Sequence, residues 1–125
     1  MFLGSLCSIL VISRPKLVGV GEHWGVQLAD GHVAHCSPTD GVCITSIEDF
    51  AQGKTVKILR EVPAHLHYQV AQRLHLIFLQ PRPYDLVSWN CETFANWLTG
   101  EKAESQQVNA WYLLALIALV ARLAA

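Results

Sequence analysis

His23-Trp24-Gly25-Val26-Gln27-Leu28-Ala29-Asp30-Gly31-His32-Val33-Ala34-His35-Cys36 reads as two short strands around a turn. Apolar and polar residues alternate on either side of Asp30-Gly31, a pair that supplies turn chemistry, so the stretch predicts a β-hairpin. The loop length decides which faces its histidines occupy. A two-residue Asp30-Gly31 loop sets Val26 opposite His35 and turns His23 to the other face. A three-residue loop, Ala29-Asp30-Gly31 with Gly31 left-handed, sets Gly25 opposite His35; His23 and His35 are then diagonal neighbours on one face, about 7–8 Å apart at the backbone. Taken alone, the residues leave both registers open.

Outward from the hairpin, Ser8–Ser13 is rich in Ile and Val and ends at Arg14-Pro15, the pattern of a buried strand. Residues 1–13 lack a basic segment before the apolar run and an A-x-A cleavage site, so no signal peptide is expected. Lys16–Glu22 reads as a loop and Val42–Thr45 as a short strand or connector. Ser46–Phe50 reads as a capped helical turn ahead of Gly53, and Lys54–Leu59 as another strand. Pro63 fits the first turn of a helix running to Leu79, whose Leu66, Val70, Leu74 and Ile77 recur at helical spacing. His65, His67 and His75 on that helix have no partner motif and are assigned to a polar face or an interface. Pro81-Arg82-Pro83 ends the helix.

Asn90-Cys91-Glu92-Thr93-Phe94-Ala95-Asn96-Trp97-Leu98-Thr99-Gly100 combines a cysteine with a helix start and a helix stop. Ser88 or Asn90 can cap, Glu92 suits the first turn, and Gly100 suits the end. Cys91 is thereby predicted at a helix N-terminus, where unpaired N–H groups and the dipole favour a thiolate. The structural alternative is a packing cysteine beside Phe94, Ala95 and Leu98.

The 125 residues suit one core, and a net charge of -1 with 15% charged residues argues against a nucleic-acid partner. Cys7, Cys36, Cys43 and Cys91 form neither a zinc spacing nor a dense disulfide framework, so a reducing, cytoplasm-facing compartment is the simpler expectation. His35-Cys36 with Cys43 matches no metal-ligand spacing, and neither metal nor cofactor is expected. Glu101–Asn109 is polar and is expected to be exposed. Ala110–Ala125 is apolar apart from Arg122 and begins with Trp111-Tyr112, residues that favour a membrane interface. As a helix it would be ~24 Å long, against a hydrocarbon core of ~30 Å. The chain therefore divides into a domain over residues 1–109 and an apolar helix over 110–125, assigned to membrane attachment with docking on the domain as the alternative.

His23-Trp24-Gly25-Val26, Gly31-His32-Val33-Ala34-His35 and Asn90-Cys91-Glu92-Thr93-Phe94-Ala95, in that order, resemble the characteristic blocks of the lecithin retinol acyltransferase-like (NC-domain) family, and Ser105-Gln106-Gln107-Val108 resembles the stretch after its cysteine helix. Two departures stand out: Thr93 occupies a position where many animal members carry histidine, and the segment before the first strand lacks a Pro-Gly-Asp-like lead-in. The resemblance implies an α+β fold, a small antiparallel sheet packed against helices, in a circularly permuted papain-like (NlpC-type) order. It also implies a thiol acyltransferase or phospholipase A that acts on glycerophospholipid acyl esters, with Cys91 as nucleophile, His23 as general base and His35 as its orienting partner. A retinol substrate is not implied. That mechanism requires the three-residue hairpin loop. Two other readings are a cysteine amidase or peptidase of NlpC type, and a non-catalytic membrane-associated module that retains the fold.

Overall fold

The computed structural model describes residues 8–124, and Cys7 lies outside the described residues. The fold is α+β: a five-stranded antiparallel sheet with helices on both faces and an apolar C-terminal helix. Strands β1 (Leu10–Pro15), β2 (Glu22–Gln27), β3 (Val33–Ser37), β4 (Gly41–Thr45) and β5 (Lys57–Glu61) lie in the order β4-β3-β2-β1-β5. Helices α1 (Ile47–Ala51), α2 (His67–Leu79, after a 3₁₀ turn at Ala64–Leu66), α3 (Cys91–Leu98) and α4 (Gln106–Ala124) complete it.

The hairpin takes the three-residue loop. Leu28 N–H donates to the His32 carbonyl at 2.7 Å and Gly31 N–H to the Leu28 carbonyl at 2.9 Å, leaving Ala29-Asp30-Gly31 outside the ladder. Gly31 has φ +91°, a conformation costly for any residue with a Cβ. Gly25 therefore pairs with His35, and Val26 with Ala34.

Period-2 alternation then sorts the sheet. Val11, Val26, Ala34 and Cys36 join Val62, Val70, Ile77, Trp89, Phe94, Ala95 and Leu98 in one core, under α2 and α3. Leu10, Ile12 and Val33 join Phe50 of α1 in a second. The helix α1 starts as expected, with Ser46 Oγ accepting from Asp49 N–H.

Several boundaries differ from expectation. β1 runs on to Pro15 because Arg14 has local partners: its Nε donates to the Phe50 carbonyl at 2.6 Å and its Nη1 to the Pro15 carbonyl at 3.0 Å, so the guanidinium can be buried within a strand. Val42–Thr45 proves to be a full edge strand, paired from Val33↔Thr45 to Ser37↔Gly41. β5 starts only at Lys57. The segment expected to be exposed between Glu101 and Asn109 is not uniformly so: Ser105 is buried, and α4 begins at Gln106 rather than Ala110.

Candidate active site

Cys91 opens α3 and owes its position to the cap before it. Asn90 Oδ1 accepts from the N–H groups of Glu92 and Thr93, both at 3.0 Å, while Thr93 Oγ1 accepts from Asn90 N–H at 2.7 Å. This is a reciprocal capping box, and Thr93, the departure from the resembled pattern, supplies half of it. Phe94, Ala95 and Leu98, all fully buried, fix the helix against β2 and β3.

The pairing of β2 with β3 stops at Gly25↔His35; beyond it Cys36 and Ser37 pair only with β4. At Glu22–Trp24 the β2 backbone is therefore open on that side, and the N-terminus of α3 fills the gap. The Cys91 thiol donates to the Glu22 carbonyl at 3.8 Å.

His23 and His35, on neighbouring strands, share the α1 face of the sheet. His23 Nε2 and His35 Nδ1 are 2.9 Å apart, and Phe50 packs on both rings with centroid separations of 5.4 and 5.3 Å. The second nitrogen of His35 lies 3.1 Å from Thr45 Oγ1 and 3.5 Å from Cys43 Sγ. Thr45, at the end of the segment expected to be a short strand or connector, thus stands behind His35. Among the described residues no hydrogen bond occupies Nδ1 of His23, and none joins its ring to Cys91. The two histidines are brought into contact; the thiol is brought to the peptide that precedes His23.

The electrostatics differ from the expected activated thiolate. Burial is the largest influence on Cys91 and pushes its thiol up; the Trp24 N–H and the charge of Lys16 pull against it without prevailing. Burial first, then His35, Arg14 and Lys16, push His23 down to about 3, while burial and then Arg14 push His35 down to about 4. The resting site at neutral pH is a neutral thiol beside neutral imidazoles. The N–H groups at the helix start favour the thiolate, but the desolvation cost outweighs them.

Cys91 borders a cavity of about 750 Å³ whose wall includes Lys16, Tyr84, Leu86, Val87, Val108, Trp111 and Leu114. Its lining is mostly apolar, and α4 forms one side. The residues that sequence reasoning missed here are Glu92, Ser105 and Gln107. The buried Glu92 carboxylate accepts from Ser105 Oγ at 2.8 Å, Gln106 N–H at 3.0 Å and Gln107 N–H at 3.3 Å, and so caps the start of α4 from the first turn of α3. The sequence signal available for it was the Ser105-Gln106-Gln107-Val108 block.

The family model described as "Lecithin retinol acyltransferase" matches residues 5–104, and the chain belongs to that family of acyltransferase and thiol enzymes. No curated protein matches the chain.

Proposed function

We propose that this member of the lecithin retinol acyltransferase family is a thiol-dependent acyltransferase or phospholipase A that cleaves a glycerophospholipid-type acyl ester through a thioester on Cys91. The observation that carries the reading is the meeting at β2 of the His23–His35 pair, bonded at 2.9 Å, with a cysteine at a capped helix N-terminus that opens on an apolar cavity.

The proposed base requires the tautomers in which His35 Nε2–H donates to Thr45 Oγ1 and His23 Nε2–H to His35 Nδ1, which leaves the lone pair of His23 on Nδ1. That nitrogen takes the Cys91 proton as sulfur attacks the acyl carbonyl carbon. The tetrahedral intermediate collapses, the ester C–O bond breaks, and the imidazolium returns its proton to the leaving lysophospholipid oxygen. Water, an amine or an alcohol then attacks the thioester, with His23 again as base; water gives hydrolysis and the others give transfer. Because thiol and imidazole rest neutral, proton removal accompanies attack, in place of a stored ion pair. The Cys91 N–H, at the helix start, is the proposed oxyanion donor.

The apolar cavity suits an acyl chain better than a peptide. Membrane attachment through α4 is part of the proposal. Gln106–Ala124 has 19 residues and is long and apolar enough to cross a membrane by length and composition, and none of its residues is buried. At 1.5 Å per residue it extends ~28 Å, close to the ~30 Å hydrocarbon core and longer than the sequence segment suggested. Trp111 and Tyr112 would then sit near the headgroups, in the same plane as the cavity. The free Cys36, Cys43 and Cys91 suit a membrane facing a reducing compartment.

Intact mass of the protein after incubation with phosphatidylcholine vesicles tests the reading. One acyl group added to the wild type and absent from Cys91→Ala is expected. Acylation only by a peptide or amide donor would move the protein to the amidase class, and no adduct with any donor would leave a non-catalytic module.

A further inference from the structure

Gln107 is the side chain on which the two halves of the site converge. Its Oε1 accepts from the Glu22 backbone N–H at 2.9 Å, and its Nε2 donates to the Glu22 carbonyl at 3.3 Å and to Glu92 Oε1 at 3.3 Å. Glu22 immediately precedes His23 and Glu92 immediately follows Cys91. The amide thus does for Glu22 what a strand peptide would do, satisfying both its N–H and its C=O where β3 has left the ladder. The Glu22 carbonyl that it holds is also the acceptor of the Cys91 thiol.

Gly21 adjoins this contact: its φ of +114° calls for glycine, and the amide end rests in the space a Cβ would take, with Gln107 Oε1 2.4 Å from that position.

We propose that Gln107 is a positioning residue for the reaction: delivered by the first turn of α4, it clamps the Glu22–His23 peptide to the Cys91–Glu92 helix start and so sets the approach of the thiol to the imidazole. The proposal rests on the reading of Cys91 as nucleophile and His23 as base. Both Nε2 hydrogens and a lone pair of Oε1 are already engaged, which fits a clamp and not a donor waiting for substrate. The helix that is assigned to the membrane thereby also completes the active site, since the clamp is its second residue.

Two variants separate clamp from filler. Gln107→Met keeps the volume and loses every hydrogen bond; Gln107→Glu keeps the shape and sets a second carboxyl against Glu92 and the Glu22 carbonyl. Both are expected to slow thioester formation from phosphatidylcholine vesicles by about 10²-fold, the scale of an ångström-level misplacement. Both should also shift the pH profile of Cys91 alkylation by iodoacetamide to higher pH, because the thiol loses its register with the Trp24 N–H. Wild-type rate and profile in Gln107→Met would overturn the proposal. A slower reaction with an unchanged alkylation profile would also overturn it, by assigning the amide to the reacting carbonyl instead. Hydrogen exchange on the wild-type full chain stands apart from any folding defect: the Glu22 amide should be protected although no strand covers it, and rapid exchange there sinks the clamp. If the wild type itself never acylates, the functional reading fails, while the exchange and alkylation measurements still decide whether Gln107 holds Glu22 to Cys91.

Discussion

His23 and His35 touch through Nε2 and Nδ1 at 2.9 Å although they sit on different strands and not directly opposite one another. The residue opposite His35 is Gly25, and its missing side chain leaves the diagonal clear. A Cβ on Gly25 would fall 2.7 Å from the Phe50 ring and 2.7 Å from Val33 Cγ1. Gly25→Ala is therefore expected to push Phe50 off the two rings and loosen the pair. It should destabilise the fold by about 1–3 kcal/mol, the usual overpacking range, in urea titrations. A neutral substitution would mean that the packing around the histidines yields easily.

Acid should unfold the protein through these histidines. Unfolded, each takes a proton near pH 6.5; folded, His23 resists until about 3 and His35 until about 4. Between those limits the unfolded state binds more protons, so stability must fall as pH is lowered from 6.5 towards 4 and be fully present above 6.5. Urea midpoints measured across that range should show the decline, and the double substitution His23→Gln with His35→Gln should flatten it. An equally steep decline in the double variant would assign acid sensitivity elsewhere.

The depressed His23 also sets the expected pH dependence of catalysis. A base with a folded value of about 3 stays unprotonated at mildly acidic pH, so the acid limb of kcat/KM belongs below pH 5 and not near 6.5. His23→Ala should lower acylation by roughly 10²–10⁴-fold, the usual contribution of a positioned base. An acid limb centred at 6.5 in the wild type would contradict the neutral, desolvated imidazole.

Burial raises the Cys91 thiol, so its alkylation by iodoacetamide should keep accelerating above pH 8.5. Cys36, buried and pushed up to about 12, should lag behind it throughout. A Cys91 rate already at its plateau at pH 6 would reveal a stored thiolate–imidazolium pair and reverse the proposed order of proton transfer.

The tail has a direct test. Full-length chain should sediment with phosphatidylcholine vesicles and a chain ending at Asn109 should not, although the shorter chain keeps Ser105 and Gln107 in contact with Glu92. Equal partitioning of the two would show that α4 is not an anchor.

Local chemistry made much of this protein legible from its sequence. Alternation and Asp30-Gly31 specify the hairpin, Asn90 and Gly100 bracket the cysteine helix, and three ordered blocks identify the family, because each signal is carried by residues within a few positions of one another. The register of the hairpin was not legible in the same way: two loop lengths satisfied the same turn residues, and packing of Phe50 against Gly25 and both histidines accompanies the one adopted. Tertiary structure alone decided the charge state of the site, since desolvation depends on what surrounds Cys91 and the histidines and not on their neighbours in the chain. It also decided the role of the polar stretch before the tail. Ser105 and Gln107 look like solvent-facing linker residues until Glu92 and Glu22, far away in sequence, supply the partners that draw them in.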